Sequence, residues 1–233
     1  MTCHPPPLRR DVRAVPGAPA QLVPRWAVGV AALGVLLFAT SLATTLACTR
    51  AGCDLPAAAR TALGTDTIGG LPRLFTTVLL ALTAGSALRG TLAASGAVRR
   101  WWVGVVAVGA ALCWAKLTSE HSVLENEDGR SVVLLAATAG SVAVAVLLWR
   151  TAARWSVPGG PAVVLALLAD TAAALGLDQL TQEVAGTGHQ GLTVVATTLE
   201  EGGEASTALV LLLVVRWAAH RVRRDRSPSV PCR

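Results

Sequence analysis

The sequence predicts an all-α fold, a polytopic transmembrane bundle of six helices with both termini in the cytoplasm. Of its 233 residues, 53% are hydrophobic and only 15% are charged. The apolar residues form blocks of about 16 to 22, close to the roughly 20 residues that a helix needs to cross a bilayer. The blocks lack the alternating pattern of membrane barrel strands, and a helix satisfies its own backbone hydrogen bonds in lipid.

Six apolar blocks are the predicted spans. Their bounds are Trp26 to Ala47, Leu71 to Leu88, Trp101 to Thr118, Ser131 to Trp149, Pro161 to Leu180, and Thr198 to Trp217. Residues 1–25 are rich in proline, which interrupts helices, so we interpret them as a cytoplasmic tail. Residues 26–220 form the membrane domain, and residues 221–233 form a second, basic cytoplasmic tail.

The arginines predict the orientation. With the N-terminus inside, 15 of the 19 arginines fall in the tails and loops on the cytoplasmic side, as the positive-inside rule requires. The net charge of +6 is therefore explained by topology and does not indicate a nucleic-acid partner. The outer segments contain Arg50, Arg60, Arg73 and Arg130. The expected location is the plasma membrane, and the Ala, Val and Arg bias is typical of a GC-rich bacterial genome.

Tryptophan supports the same orientation, because indole rings favour the membrane interface. Six of the seven tryptophans fall at the predicted cytoplasmic ends of spans, and Trp114 alone lies inside one. The six are Trp26, Trp101, Trp102, Trp149, Trp155 and Trp217.

Cys48 and Cys53 follow the first span on the predicted outer side, where a disulfide can persist. Their spacing permits a disulfide, but two unpaired thiols are equally compatible because spacing does not fix the geometry. Zinc would require two more ligands, and the sequence has no second cysteine pair.

Ionisable residues inside the spans are the candidate functional residues, because charge in a bilayer is costly and usually faces the bundle interior. At 1.5 Å per residue, Lys116 on the third span and Glu204 on the sixth lie about 22 and 20 Å from the inner interface. If these spans are neighbours, Lys116 meets Glu204, and Glu120 meets Glu200 in a layer above. Asp178 reaches that upper layer, whereas Asp170 lies alone below.

These depths predict an outward-facing polar funnel. Its carboxylates and single imidazole are candidate ligands of a cation, with Lys116 as an internal counter-ion and Asp170 at the floor. The predicted ligand set is Glu120, His121, Asp178, Glu200, Glu201 and Glu204. So many acids require either a metal ion, in the range from Mg²⁺ to Zn²⁺, or bound protons. Alternatively, the outer residues extend to the interface and Lys116 with Glu204 is a structural buried pair.

Two segments resemble a loose group of uncharacterised bacterial multi-pass membrane proteins. The segments are Lys116-Leu117-Thr118-Ser119-Glu120-His121 and Thr198-Leu199-Glu200-Glu201-Gly202-Gly203-Glu204. In that group, one helix ends in acidic residues with a histidine, and a later helix opens with Leu-Glu-Glu-Gly. The resemblance implies a membrane location and no particular activity.

Three functions are compatible with these residues. The favoured hypothesis is a component that binds or transports protons or divalent metal ions at the outer carboxylates. The second hypothesis is an intramembrane metal-dependent enzyme that acts on a lipid or prenyl substrate, with Glu200 or Glu204 as general acid or base. The third is a structural or assembly subunit. The expected partner is the lipid bilayer, and the sequence is also compatible with a homo-oligomer.

Overall fold

The computed structural model describes residues 24–51, 55–64, 67, 69–118 and 130–225, excluding the side chains of 50, 51 and 130–134. These ranges contain seven helices and no strand. The helices are α1 (Arg25–Ala51), α2 (Ala57–Leu63), α3 (Leu71–Ala93), α4 (Gly96–Thr118), α5 (Arg130–Arg154), α6 (Gly160–Gly186) and α7 (Gln190–Arg224). All except the short α2 are long and apolar enough to span a membrane.

The six predicted spans are confirmed, and each helix is longer than its apolar block. Helix α7 is the extreme case, because its 35 residues extend for about 52 Å, well beyond a hydrocarbon core of about 30 Å. The helix continues through Glu200, Glu201 and Glu204 without a break. It also passes residue 220, so the first residues of the predicted basic tail are helical.

Helices α3 and α7 form the centre of the bundle. Helix α3 packs against α4 and α7, while α7 also packs against α1 and α6. Helix α5 packs mainly on α6 and leaves side chains such as Leu135 and Leu147 exposed, as expected for a surface that faces lipid. The third span, α4, is thus separated from the sixth, α7, by the second, α3, over most of its length.

The aromatic residues divide the predicted cytoplasmic end into a core and a rim. Trp101 and Trp102 are buried in edge-to-face contact, with Trp101 donating a hydrogen bond to the Leu148 carbonyl at 2.9 Å. Both rings fill the space between helices at that end, and neither faces lipid. Trp26, Trp149 and Trp217 are each more than one third exposed and fit the interfacial prediction.

At the opposite end, α2 covers the end of α1. Ser41 is fully buried in α1, and its hydroxyl donates a 2.5 Å hydrogen bond to the Leu63 carbonyl of α2. Cys48, near the end of α1, is disulfide-bonded. Cys53, the partner suggested by the spacing, lies outside the described residues.

Candidate functional site

Lys116 joins α4 to α7 through two buried ion pairs. Its Nζ lies 2.8 Å from Glu201 Oε1 and 2.5 Å from Glu204 Oε2. Side-chain exposure is only 13% for Lys116, 5% for Glu201 and 13% for Glu204. The predicted contact between Lys116 and Glu204 is confirmed, although α3 separates the two helices over most of their length. The long lysine side chain reaches α7 at the end of α4.

Arg73 is a second cation at this site. It lies in the first turn of α3, is 8% exposed, and donates from Nε to the Lys116 carbonyl at 2.8 Å. This bond satisfies a carbonyl in the last turn of α4, which has no partner within the helix. The charge of Arg73 also acts on Glu201. Arg73 therefore links α3 to both the backbone and the carboxylates of the site.

Asp170 of α6 completes the lower part of the site. It is 6% exposed, and its Oδ1 accepts a 3.0 Å hydrogen bond from the Thr207 hydroxyl of α7. Thr207 also donates to the Glu204 carbonyl, one turn earlier in α7. The charges of Glu204 and Lys116 both act on Asp170. The prediction that Asp170 lies alone was therefore wrong, because the packing of α6 on α7 brings it close to Glu204 and Lys116.

We call these five residues the charge cluster: Arg73, Lys116, Asp170, Glu201 and Glu204. One of their buried oxygens, Glu201 Oε2, has no hydrogen-bond partner within the described residues. A buried acceptor without a partner is costly, so Glu201 adds to the cost of burying this cluster.

Two further acids form a separate pair nearer the predicted outer surface. Asp178 of α6 accepts from Gln182 Nε2 at 2.9 and 3.0 Å, and a side-chain hydrogen bond joins Glu200 of α7 to Thr181. The charge of Asp178 acts on Glu200, as do those of Glu201 and Glu204. Asp178 and Glu200 thus lie within electrostatic range of each other across α6 and α7. Both residues are only partly buried.

Gly203 lets α6 and α7 approach closely at the same level. A Cβ added at Gly203 would lie 2.5 Å from Leu177 Cδ1. Leu177 adjoins Asp178, and Gly203 adjoins Glu204, so this contact brings the acidic faces of the two helices together.

The structure separates the predicted funnel into the charge cluster and the outer pair. Glu201 and Glu204 contact Lys116, while Glu200 faces α6. Glu120 and His121 lie outside the described residues, so their predicted part in the site stays a prediction. Among the residues with described positions, no group of three or more His, Cys, Asp or Glu side chains is suited to hold a metal ion.

The sequence analysis did not predict that Arg73 belongs to the site or that Glu201 contacts Lys116. Arg73 was counted as one of four outer arginines, but an arginine in the first turn of an apolar span is itself an intramembrane ionisable residue. Glu201 is three residues before Glu204 and therefore shares its helix face as well as Glu200 does. Both signals were present in the sequence.

These features define a multi-pass membrane protein of six helical spans with a buried cluster of charged residues. No protein-family model matches the sequence, and neither a curated protein nor a solved structure shows significant similarity to it. The resemblance to a group of bacterial membrane proteins stays a prediction.

Proposed function

We propose that this membrane protein handles cations and that the cation is the proton, held by the charge cluster. The observation that carries the proposal is the composition of the cluster. It contains three acids, Asp170, Glu201 and Glu204, against two bases, Arg73 and Lys116, all of them largely buried. An uncompensated buried charge is costly, so the set favours uptake of one positive charge.

Asp170 is the acid that we assign to this proton. Glu201 and Glu204 each contact the Lys116 ammonium, whereas the hydrogen bond to Asp170 comes from the neutral Thr207 hydroxyl. A carboxyl group beside a hydroxyl can remain neutral with its hydrogen bond intact, because the carboxyl oxygen still accepts. The outer pair, Asp178 and Glu200, is a separate group on α6 and α7, nearer the predicted outer surface.

A proton fits the cluster better than a divalent ion does. The ammonium group of Lys116 occupies the position between Glu201 and Glu204 that a metal ion would take. Mg²⁺ and Ca²⁺ require six or more oxygen ligands, and a lysine ammonium competes with any of them. A divalent site would have to use the outer pair, together with the predicted ligands Glu120 and His121.

Proton flux into liposomes tests this function. The full chain is reconstituted, a pH gradient is imposed with potassium and valinomycin to clamp the potential, and an internal pH dye is followed. We expect wild-type protein to raise the flux above that of protein-free liposomes, and Asp170→Asn to remove the increase. Asp178→Asn is the matched control, because it removes a carboxyl group from the same helix, α6.

Parallel liposomes loaded with dyes for Mn²⁺, Zn²⁺ or Mg²⁺ separate the two kinds of cation. Transport of a divalent ion that is lost in Glu200→Gln and retained in Asp170→Asn would replace the proton by a metal. Absence of any flux, together with normal folding, would contradict a transport role.

A structural role for the cluster is the second candidate, and the contacts of Lys116 favour it. This one side chain connects α4 to α7 across the end of α3, so it can fix the register of three helices. If the role is structural, replacing the residues of the charge cluster by apolar residues of matching volume would leave any activity of the protein intact. The enzyme hypothesis has no comparable support from the described contacts.

We also propose that both termini are cytoplasmic and that the charge cluster opens to the outside. The exposed arginines are concentrated at one end of the bundle, and the disulfide at Cys48 lies at the other, which suits an oxidising compartment. Single-cysteine variants at Ser95 and Thr187, both exposed, test the proposal. An impermeant maleimide added to intact cells should label Thr187→Cys only, and labelling of Ser95→Cys instead would reverse the orientation.

A further inference from the structure

Four exposed arginines at the predicted cytoplasmic end lie around one side chain, His220. The charges that act most strongly on His220 come from Arg223, Arg216, Arg224 and Arg89. Arg216, His220, Arg223 and Arg224 follow the spacing i, i+4, i+7 and i+8, so they share one face of α7. Arg89 joins them from α3, which packs against α7. We call these five residues the basic cluster.

All five side chains of the basic cluster are exposed, unlike those of the charge cluster. Among the described residues at this end, Asp225 is the one carboxylate, and the charges that act most on His220 are all positive. Like charges on one helix face repel each other and destabilise the helix. The arrangement is therefore complementary to an anion that the described residues, Asp225 apart, do not provide.

Two aromatic contacts, one made by a member of the basic cluster and one by the neighbouring Arg221, place the cluster at the level of lipid headgroups. The Arg216 guanidinium lies 5.2 Å from the ring centre of Trp26, and that of Arg221 lies 4.3 Å from the ring centre of Trp217. Both indoles are partly exposed, and such rings mark the boundary between hydrocarbon and headgroups. Stacking also orients the guanidinium of Arg216, which lowers the entropic cost of binding a phosphate.

We propose that the basic cluster binds the phosphate of an anionic phospholipid at the cytoplasmic surface of the membrane. Guanidinium groups form paired, charge-assisted hydrogen bonds with phosphate oxygens. At the depth of Trp26 and Trp217, phospholipid headgroups are the abundant anions. The lipid would lie in contact with the ends of α3 and α7, the two central helices, and would hold them together.

Lipid retention by the purified full-length protein tests this site. Detergent-solubilised protein is titrated with phosphatidylglycerol or phosphatidylcholine, and bound lipid is counted by native mass spectrometry. We expect phosphatidylglycerol to be retained preferentially. In Arg216→Gln/Arg223→Gln/Arg224→Gln, its binding should be about tenfold weaker, because charge-assisted hydrogen bonds are lost.

The matched control removes three arginines from the same end of the bundle. Arg99→Gln/Arg150→Gln/Arg154→Gln changes the net charge equally but alters α4 and α5, away from His220. This control should retain phosphatidylglycerol as the wild type does. Equal loss in both triple variants would show that only net charge matters and would overturn the proposal, as would equal retention in both.

Inorganic phosphate separates a lipid site from a site for a free anion. Millimolar phosphate should neither displace phosphatidylglycerol nor raise the thermal unfolding midpoint as the lipid does. If phosphate alone produces the full increase in the midpoint, the lipid assignment is wrong. Both triple variants must elute as single species with wild-type helical circular dichroism before their lipid binding is compared.

Discussion

The two ends of the bundle differ in where their charged side chains lie. They are exposed at the predicted cytoplasmic end and, in the charge cluster, buried toward the other. At the predicted cytoplasmic end, guanidinium groups are exposed and stack on indole rings, while the buried contacts below them are aromatic and aliphatic. Toward the other end, the buried Lys116 contacts Glu201 and Glu204, and Arg73 and Asp170 are buried beside this pair of contacts. Exposed charges can be neutralised by water and lipid, whereas buried charges depend on one another.

This difference separates residues that orient the protein from residues that hold its helices together or bind a ligand. At the arginine-rich end, stability should depend on packing and little on any one charge. At the charge cluster, it should depend on the balance of charge. Three sets of substitutions test this contrast.

The largest effect is expected for Lys116→Met. The change leaves Glu201 and Glu204 buried without the ammonium group, and breaking a buried pair typically costs about 3 to 5 kcal/mol. The measurement is unfolding of the purified protein in mixed micelles as the denaturing detergent is increased. Lys116→Arg is the control, because it preserves the positive charge.

The same experiment includes compensating changes. Because Lys116 contacts two acids, Lys116→Met/Glu204→Leu should recover only part of the loss, and Lys116→Met/Glu201→Leu/Glu204→Leu should recover more. If the double and triple variants are no more stable than Lys116→Met, the balance of charge does not determine stability at this end.

A smaller effect is expected for Gly90→Ala at the arginine-rich end. An added Cβ would lie 2.6 Å from the ring of Trp102, which is fully buried and cannot move aside easily. Overpacking of this kind costs about 1 to 3 kcal/mol. Gly85→Ala on the same helix is the control, since its Cβ would meet nothing within 4 Å. Equal stability of the two variants would show that the tryptophan core is loosely packed.

The smallest effects are expected for Asp178→Asn and Glu200→Gln in the outer pair. Both side chains are partly exposed, so each change should alter stability by about 0.5 kcal/mol or less. Thermal unfolding with and without millimolar Mn²⁺, Zn²⁺ or Mg²⁺ provides the measurement. An increase of the wild-type midpoint by one ion, abolished in either variant, would instead identify the outer pair as part of a metal site.

The sequence was sufficient to predict the six spans, because long apolar blocks have few alternatives to a membrane helix. Depth along the helices also predicted the contact of Lys116 with Glu204, on the condition that the third and sixth spans are neighbours. The sequence did not reveal that α3 lies between α4 and α7, or that Trp101 and Trp102 are buried. A helix that is apolar on every side does not show which face packs on protein and which faces lipid.

Arg73 and Asp170 show the same limit of sequence-based prediction for charged residues. Their distance along the chain from Lys116 gives no hint of proximity, and both enter the site only because α3 and α6 pack against α7. Glu120 and His121 lie outside the described residues, so the outer part of the predicted funnel stays a prediction.

The central claim is that the charge cluster holds a proton on Asp170. Infrared difference spectroscopy of the protein in lipid tests it directly, because a protonated carboxyl group has a C=O stretching band that shifts in D₂O. We predict that the wild type shows this band at neutral pH, that Asp178→Asn retains it, and that Asp170→Asn lacks it. A wild type without the band at neutral pH, or an unchanged band in Asp170→Asn, would contradict the account.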